Sequence, residues 1–432
     1  MKTSRRNFLK ASAVVGVAAL DISTAPKVHA TGSDVINVGL IGCGNRGCGI
    51  VQDAFQTVTN AKLVAMADTF KDRAHNARRA LKEKYPNRVD VPDDRCFSGL
   101  DGYKGVIEHS DAVFIACAGR FHPPYTLAAV EAKKHLFVEK PHALDAAGIK
   151  IVQRAAEIAS ANGTAVVSGL CYRYDTLRRE AFRRIADGEI GDIIAVQSDY
   201  LRLPPPFVRR REDWTETEYQ FRNWYHFTWL SGDRIVESLL HNIDSVMTAF
   251  GDEAPVSAYG VGGRSTMFDE TMGDQFDHSA VVLNFADGKR IYGMNRTATE
   301  CFRSNKDVLH GTKGRCYFDA GGKPFFTDLQ NKKIWTAGER ERSMYLQEIH
   351  EMFTSIQAGR PINDGQRMAR TTMAAILAFM ACRSGQEVFW NEAVNAAAAY
   401  GPADADVSLT MEPPIKPDAN GLYPVAAPGR QG

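Results

Sequence analysis

The sequence has little net charge, few cysteines and no long apolar run, and each shortage removes a class of protein. Lys plus Arg number 52 and Asp plus Glu 51, a formal charge of +1, so no global positive field exists to hold nucleic acid. Eight cysteines among 432 residues, none in a C-x-x-C pair, are too sparse for a disulfide scaffold, a zinc ribbon or a thioredoxin site. No internal repeat is present, and no segment reaches the roughly 20 apolar residues of a membrane-spanning helix. What remains, 44% hydrophobic, 24% charged and 9% aromatic, is the composition of a globular chain. Its length fits two or three domains at about 150 residues each.

The first thirty residues read as an address. Met1 to Ala30 passes from a basic start (Lys2, Arg5, Arg6, Lys10) through the apolar stretch Ala11 to Leu20 to Val28-His29-Ala30, the order of a secretory signal. Ser4-Arg5-Arg6-Asn7-Phe8-Leu9-Lys10 resembles the twin-arginine kind. The expected partner is the twin-arginine export machinery, the expected location periplasmic or secreted, with no membrane attachment after processing. That route carries folded proteins, commonly those with non-diffusible cofactors.

The next segment has the order of a doubly wound nucleotide-binding sheet. Val35 to Ile41 is a short apolar, β-branched run, followed at once by Gly42-Cys43-Gly44-Asn45-Arg46-Gly47 and then a helical stretch, Cys48 to Val58. In strand, G-x-G-x-x-G, helix, Gly42 permits the tight turn, Gly44 lets a pyrophosphate approach the backbone and Gly47 lets the helix pack on the strand. The helix N-terminus offers free N–H groups and a positive dipole end to phosphate, which makes Asn45 and Arg46 cofactor-binding candidates beside the glycines. A second strand, Ala61 to Ala67, ends at Asp68, placed for the ribose hydroxyls of NAD in preference to NADP. Ser110 to Ala118, His135 to Glu139 and Thr164 to Gly169 read as further strands, alternating with helices at Pro123 to Lys134 and Ala146 to Asn162. This alternation means a parallel sheet, whose carboxyl rim should carry Arg120, His122, Glu139 and Lys140.

A buried strand ending in Glu139-Lys140-Pro141, downstream of that glycine loop, resembles the glucose–fructose oxidoreductase / inositol dehydrogenase (Gfo/Idh/MocA) family. The resemblance implies a lysine, Lys140, beside both nicotinamide and substrate hydroxyl, often followed by a cis proline. It also implies a second, α+β domain with a large, mostly antiparallel open sheet, whose free face carries a homodimer or homotetramer contact. The sequence agrees in character. Leu177 to Ile185, Glu341 to Gln357 and Gln366 to Arg383 look helical, while Ile193 to Leu201, Pro255 to Gly262 and Gly314 to Phe318 look like strands. Asp287-Gly288 joins Asp277–Ala286 to Lys289–Thr297 as a hairpin. The expected division is a Rossmann NAD-binding domain at 35–170, a substrate and oligomerisation domain at 171–400 and an irregular tail at 401–432 that wraps or frays.

In a helix beginning near Ser231, Glu237 and His241 stand at i and i+4 and share a face. The family places an Asp and a His at this spacing against the substrate; here Glu replaces the Asp. No further ligand cluster accompanies them, so no metal is expected. His241 is the expected base, oriented by Glu237, with Lys140 polarising the oxygen and its pKa lowered by burial and the nicotinamide charge. Arg222-Asn223-Trp224-Tyr225-His226-Phe227-Thr228-Trp229 is either a sugar-stacking wall or plain core. Arg222, Trp224 and Tyr225, with Tyr172 and Arg173 after the strand Thr164–Gly169, are the substrate-binding candidates. Arg202 to Arg211 is a proline-stiffened basic loop, expected as a lid or oligomer arm.

Together these features describe an exported NAD(P)-dependent oxidoreductase with a tightly bound cofactor, acting on a sugar, glycoside or cyclitol hydroxyl. Two other readings stand beside it. One is an NAD-dependent glycosidase using transient C3 oxidation and elimination; the other is a non-catalytic sugar-binding protein that retains NAD.

Overall fold

The computed structural model describes residues 35–429 apart from 267, 268, 270 and 398, so the leader expected at 1–30 lies outside the described residues. Six strands, β1 (Ile36–Ile41), β2 (Ala61–Asp68), β3 (Cys96–Ser98), β4 (Ala112–Ile115), β5 (His135–Val138) and β6 (Val166–Ser168), form a sheet in the order β3-β2-β1-β4-β5-β6. Every pairing in it is parallel. The helices α1 (Asn45–Thr57), α2 (Lys71–Lys84), α3 (Gly102–His109), α4 (His122–Glu131) and α5 (Ala146–Asn162) make the crossovers. The strand order reverses between β1 and β4, so the loops after these two strands open a crevice at the carboxyl rim, where such sheets bind ligands. The strands are apolar throughout because both faces are covered; Leu40, Leu63, Phe114 and Phe137 are fully enclosed.

The chain then builds a nine-stranded sheet: β7 (Ile193–Arg202), β8 (Ser257–Gly263), β9 (His278–Asn284), β10 (Arg290–Thr297), β11 (Ser304–Gly311), β12 (Gly314–Asp319), β13 (Phe325–Asp328), β14 (Lys333–Thr336) and β15 (Val388–Phe389). Its order is β14-β13-β12-β11-β7-β10-β9-β8-β15. Only β7 and β10 pair in parallel; the other pairings are antiparallel. Helices α6 (Thr176–Ala186), α7 (Glu216–Arg222), α8 (Thr228–Ser231) and α9 (Leu240–Ala249) precede β8, and α10 (Met344–Gln357) and α11 (Gly365–Ser384) follow β14. Of these, α9 and α11 cover one face of the sheet. On the other, β9 and β10 alternate buried and accessible residues, the pattern of a half-solvated sheet.

α10 packs on α1, with the Phe353 ring edge-on to Phe114 at 6.4 Å. β6 is flanked by the strap before α11, where Val166 N donates to Ile362 O at 2.9 Å and Asp364 N to Val166 O at 2.8 Å. The tail crosses α7: Gln220 Nε2 donates to Ile415 O at 2.7 Å and the Tyr423 hydroxyl to Glu216 at 2.6 Å. No helix among the described residues is long and apolar enough to cross a membrane.

Candidate active site

The glycine loop has a different constraint at each glycine. Gly42 has φ +95°, and a Cβ there would lie 2.5 Å from the Ala116 carbonyl. A Cβ on Gly47 would meet the Gly42 oxygen at 2.0 Å. At Gly44 a Cβ would meet nothing within 4 Å, which leaves open space above the backbone. α1 starts from Gly44 with no side-chain cap and no acid in its first turn, so its leading N–H groups are free for an anion. Asp68 closes the loop from β2: one carboxylate oxygen accepts from Cys43 N at 2.9 Å, the other from Phe70 N at 3.0 Å. Open backbone, uncapped helix end and terminal acid fit a dinucleotide.

Arg46 is an exception. Its side chain, expected at the cofactor, is held by three carboxylates: Glu139, Glu348 at 2.6 Å and Asp53 at 3.4 Å. The Tyr345 ring lies 4.9 Å away. Burial opposes the carboxylate form of Glu139, but Arg46 and then Lys140 hold it below its ordinary range. Glu348, fully enclosed, is pushed well above that range by burial. Sequence reading missed Glu348 because it stands on the apolar face of α10, among Ile349, Met352 and Phe353. An acid on such a stripe was the available signal.

The Lys140–Pro141 bond is cis, and the lysine lies against Glu237. Nζ donates to the Glu237 carbonyl at 2.6 Å and forms an ion pair with its carboxylate. That carboxylate also accepts from the Ser238 and Tyr225 hydroxyls. Two expectations are corrected here. Burial does oppose the ammonium, but Glu237, followed by Tyr225, outweighs it and holds the Lys140 pKa above its usual value. Glu237 therefore orients Lys140, not His241. The i,i+4 reading also changes, because Ile235–Leu239 is a π-helical turn and α9 begins only at Leu240. His241 meets the Tyr172 ring at 5.5 Å, and its Nδ1 is buried without a partner.

Beneath these residues the second sheet changes character rung by rung. Along four neighbouring strands the covered face reads Leu283, Ile291, Val196, Leu309, then Val281, Gly293, Ser198, Asp307, then Ser279, Asn295, Tyr200, Asn305. The first rung is wholly apolar core. The third is wholly polar, and Asn242, the residue after His241, reaches over it to Asn305 at 3.4 Å and to Asp307 at 2.9 Å. Both side-chain polar atoms of Asn295, and Oγ of Ser279, are buried and unpaired. Such atoms call for partners, and hydroxyl groups would supply them.

Other candidates divide. Arg173 is corrected: its guanidinium is clamped between Asp244 at 2.7 Å and Asp252 at 2.9 Å, a structural arrangement that commits it to these acids and not to a sugar. Arg222 packs over Phe70 at 3.7 Å and bonds Glu218 at 2.8 Å, which sets it beside the Asp68 end of the crevice. His122 is a brace, its ring nitrogens 2.7 Å from Pro141 O and 3.1 Å from Cys117 O. In the aromatic stretch Phe227 and Trp229 are core, while Trp224 is half-buried, its ring tilted by 56° against Tyr225 with 4.8 Å between centroids.

Residues 36–166 match the family described as an oxidoreductase family with an NAD-binding Rossmann fold, and residues 2–20 match the twin-arginine translocation signal. Across 374 residues the chain is 24% identical to myo-inositol 2-dehydrogenase of Thermotoga maritima, covering 82% of this chain and 97% of that one. It is 23% identical over 289 residues to glycosyl hydrolase family 109 protein 4 of Phocaeicola vulgatus, covering 64% of this chain and 48% of that one. Among solved structures, aldose-aldose oxidoreductase from Caulobacter crescentus superposes with a TM-score of 0.66 at 18% identity, over 82% of this chain and 99% of that one.

Proposed function

Because this chain belongs to the Gfo/Idh/MocA oxidoreductase family and carries a twin-arginine export signal, we propose that it oxidises a hydroxyl of a sugar, glycoside or cyclitol on an NAD molecule it does not release. The observation that carries this reading is the buried Lys140–Glu237 pair beside His241, standing over a polar rung in which Ser279 and Asn295 are unsatisfied. A nicotinamide dinucleotide held by Gly42, Gly44, Gly47 and Asp68 would supply the acceptor for hydride leaving a C–H bond. The chain's own groups manage the proton. Lys140 Nζ donates to the substrate oxygen and stabilises the developing alkoxide, Glu237 fixes Nζ, and the His241 imidazole accepts the hydroxyl proton. Tyr172 keeps one side of that imidazole dry. The test is the absorbance at 340 nm of the purified protein against a panel of sugars and cyclitols: a rise with some member supports oxidation. Bound cofactor that no member reduces returns the chain to sugar binding alone.

Burial first, then Lys140, pushes the His241 pKa down to about 4, from the roughly 6.5 of an unperturbed histidine. The imidazole is therefore neutral and able to accept at pH 7. As pH falls from about 6.5 towards 4, the unfolded chain takes up a proton that the native site refuses, so this histidine's contribution to stability is lost across that window. Cofactor reduction by a responsive sugar should stay level down to about pH 5 and fall near pH 4. A half-maximum near 6.5 in a pH–rate profile would contradict His241 as the acceptor in this setting.

Asp68 should favour NAD over NADP, because its carboxylate repels a 2′-phosphate. Asp68→Ala removes that repulsion and one anchor of the loop, and is expected to narrow the NAD preference about tenfold or more, a change of at least about 1.4 kcal/mol. Titrating both nucleotides into cofactor-stripped protein checks this; a wild-type preference for NADP would refute it. The homo-oligomer contact is assigned to the outward face of the second sheet, where Tyr259, Val261, Tyr292 and Met294 are exposed.

A further inference from the structure

We propose that the substrate of this site carries an anionic group, a carboxylate or phosphate, which Arg234 binds. The proposal rests on the oxidation reading above and names the substrate class for it. Arg234 is 3% exposed and stands directly before the π-helical turn that holds Glu237. Its Nη1 has no partner, and its Nη2 reaches His226 Nδ1 at 3.3 Å. That partner is neutral. His226 Nε2 faces the Pro206 carbonyl at 3.2 Å, so the ring hydrogen belongs on Nε2 and Nδ1 offers only a lone pair. Among the described residues no carboxylate oxygen lies within 4 Å of this guanidinium. Asp233 spends one oxygen on Ile235 N at 3.3 Å, and Glu237 is committed to Lys140.

A buried charge without an opposite charge is costly and rare, and structural arginines elsewhere in this chain are met by acids or, as at Arg88 and Arg264, by several backbone carbonyls. Arg173 meets Asp244 and Asp252, and Arg46 meets Glu139 and Glu348. At Arg234 that acid is missing, on the wall of the candidate site. Tyr225 links it to the reacting groups: its ring lies 5.1 Å from the guanidinium and its hydroxyl bonds Glu237, which holds Lys140. Arg234 also feels Tyr200, whose ladder neighbours Asn295 and Asn305 belong to the polar rung. An anion at Arg234 would thus anchor one end of a polyhydroxylated molecule whose other end reaches Lys140 and His241.

The experiment follows the purified holoprotein at 340 nm and by thermal shift against matched compounds: D-glucose, D-glucuronate and D-glucose 6-phosphate, then D-galactose and D-galacturonate. At least one anionic compound should act at a concentration tenfold or more below that of its neutral counterpart, and the uronates and the phosphate ester separate carboxylate from phosphate. Arg234→Met should abolish that difference without lowering the melting temperature of the sugar-free protein, since it removes an uncompensated charge. Arg234→Lys should retain part of the preference. Neutral sugars acting as well as anionic ones, or a preference intact in Arg234→Met, overturn the proposal and leave oxidation standing. An anionic compound that raises the melting temperature without any absorbance change supports the proposal and sinks oxidation. Silence of every compound in both readouts overturns both.

Discussion

Hydride transfer is expected to fall by about 10²–10⁴-fold when Lys140 is replaced by Met, the range of a positioned acid–base group, and the same variant should lose about 3–5 kcal/mol of stability. The two losses have different origins. Met keeps the apolar stem but leaves Glu237, which is 3% exposed, as a buried acid without its cation, and burial then drives it to take up a proton. Adding Glu237→Gln to Lys140→Met removes the stranded charge, so most of the stability returns while the rate does not. Chemical denaturation and single-turnover reduction of bound cofactor read the two separately. Near wild-type turnover in the single variant would show that the reaction occurs elsewhere.

The second large effect concerns turnover. Outside the cytoplasm there is little free NAD to exchange, so an exported enzyme of the proposed kind would have to close its redox cycle on a cofactor it carries with it. NAD(H) should therefore co-elute with the protein through gel filtration, and steady turnover should need none added. With substrate deuterated at the oxidised carbon, a two-sugar exchange passes the label to the second sugar. Glycoside cleavage through transient oxidation returns it to the substrate-derived sugar; the resemblance to a glycosyl hydrolase family 109 protein keeps that outcome in the assay. Turnover that requires added NAD and accumulates free NADH in step with product would contradict both and make this an ordinary dehydrogenase.

The parts legible in the sequence are those whose constraint is local. The glycines of the loop could be assigned separate tasks because a tight turn, an open backbone and a close helix crossing each leave a mark at one position, and the structure has all three. The parallel sheet was legible from apolar runs alternating with helices, although β3, at three residues, was too short to show. β11 escaped notice for a different reason: its covered residues include Asn305 and Asp307, so it lacks the apolar alternation that betrays a strand. Arg173 and Arg234 look alike in the sequence. One meets acids 71 and 79 positions away and becomes structural, the other meets none, and no local pattern separates them. The π-helical turn is equally silent: nothing in Ile235–Leu239 marks an extra residue, and the elements it packs on, α11, β7 and β10, are remote in sequence or differ in kind.

The contact between Arg46 and Glu348 spans 302 positions of chain, which bears on the order of events during synthesis. The helix end offered to the dinucleotide emerges from the ribosome early. The acid that fixes Arg46, the second residue of that helix, and the helix that packs on it, come more than two-thirds of the way along. The packing around the start of that helix is thus completed only when nearly the whole polypeptide exists. Under the proposed function, cofactor capture would fall after translation and before translocation, where a route that exports folded cargo could use it as a checkpoint.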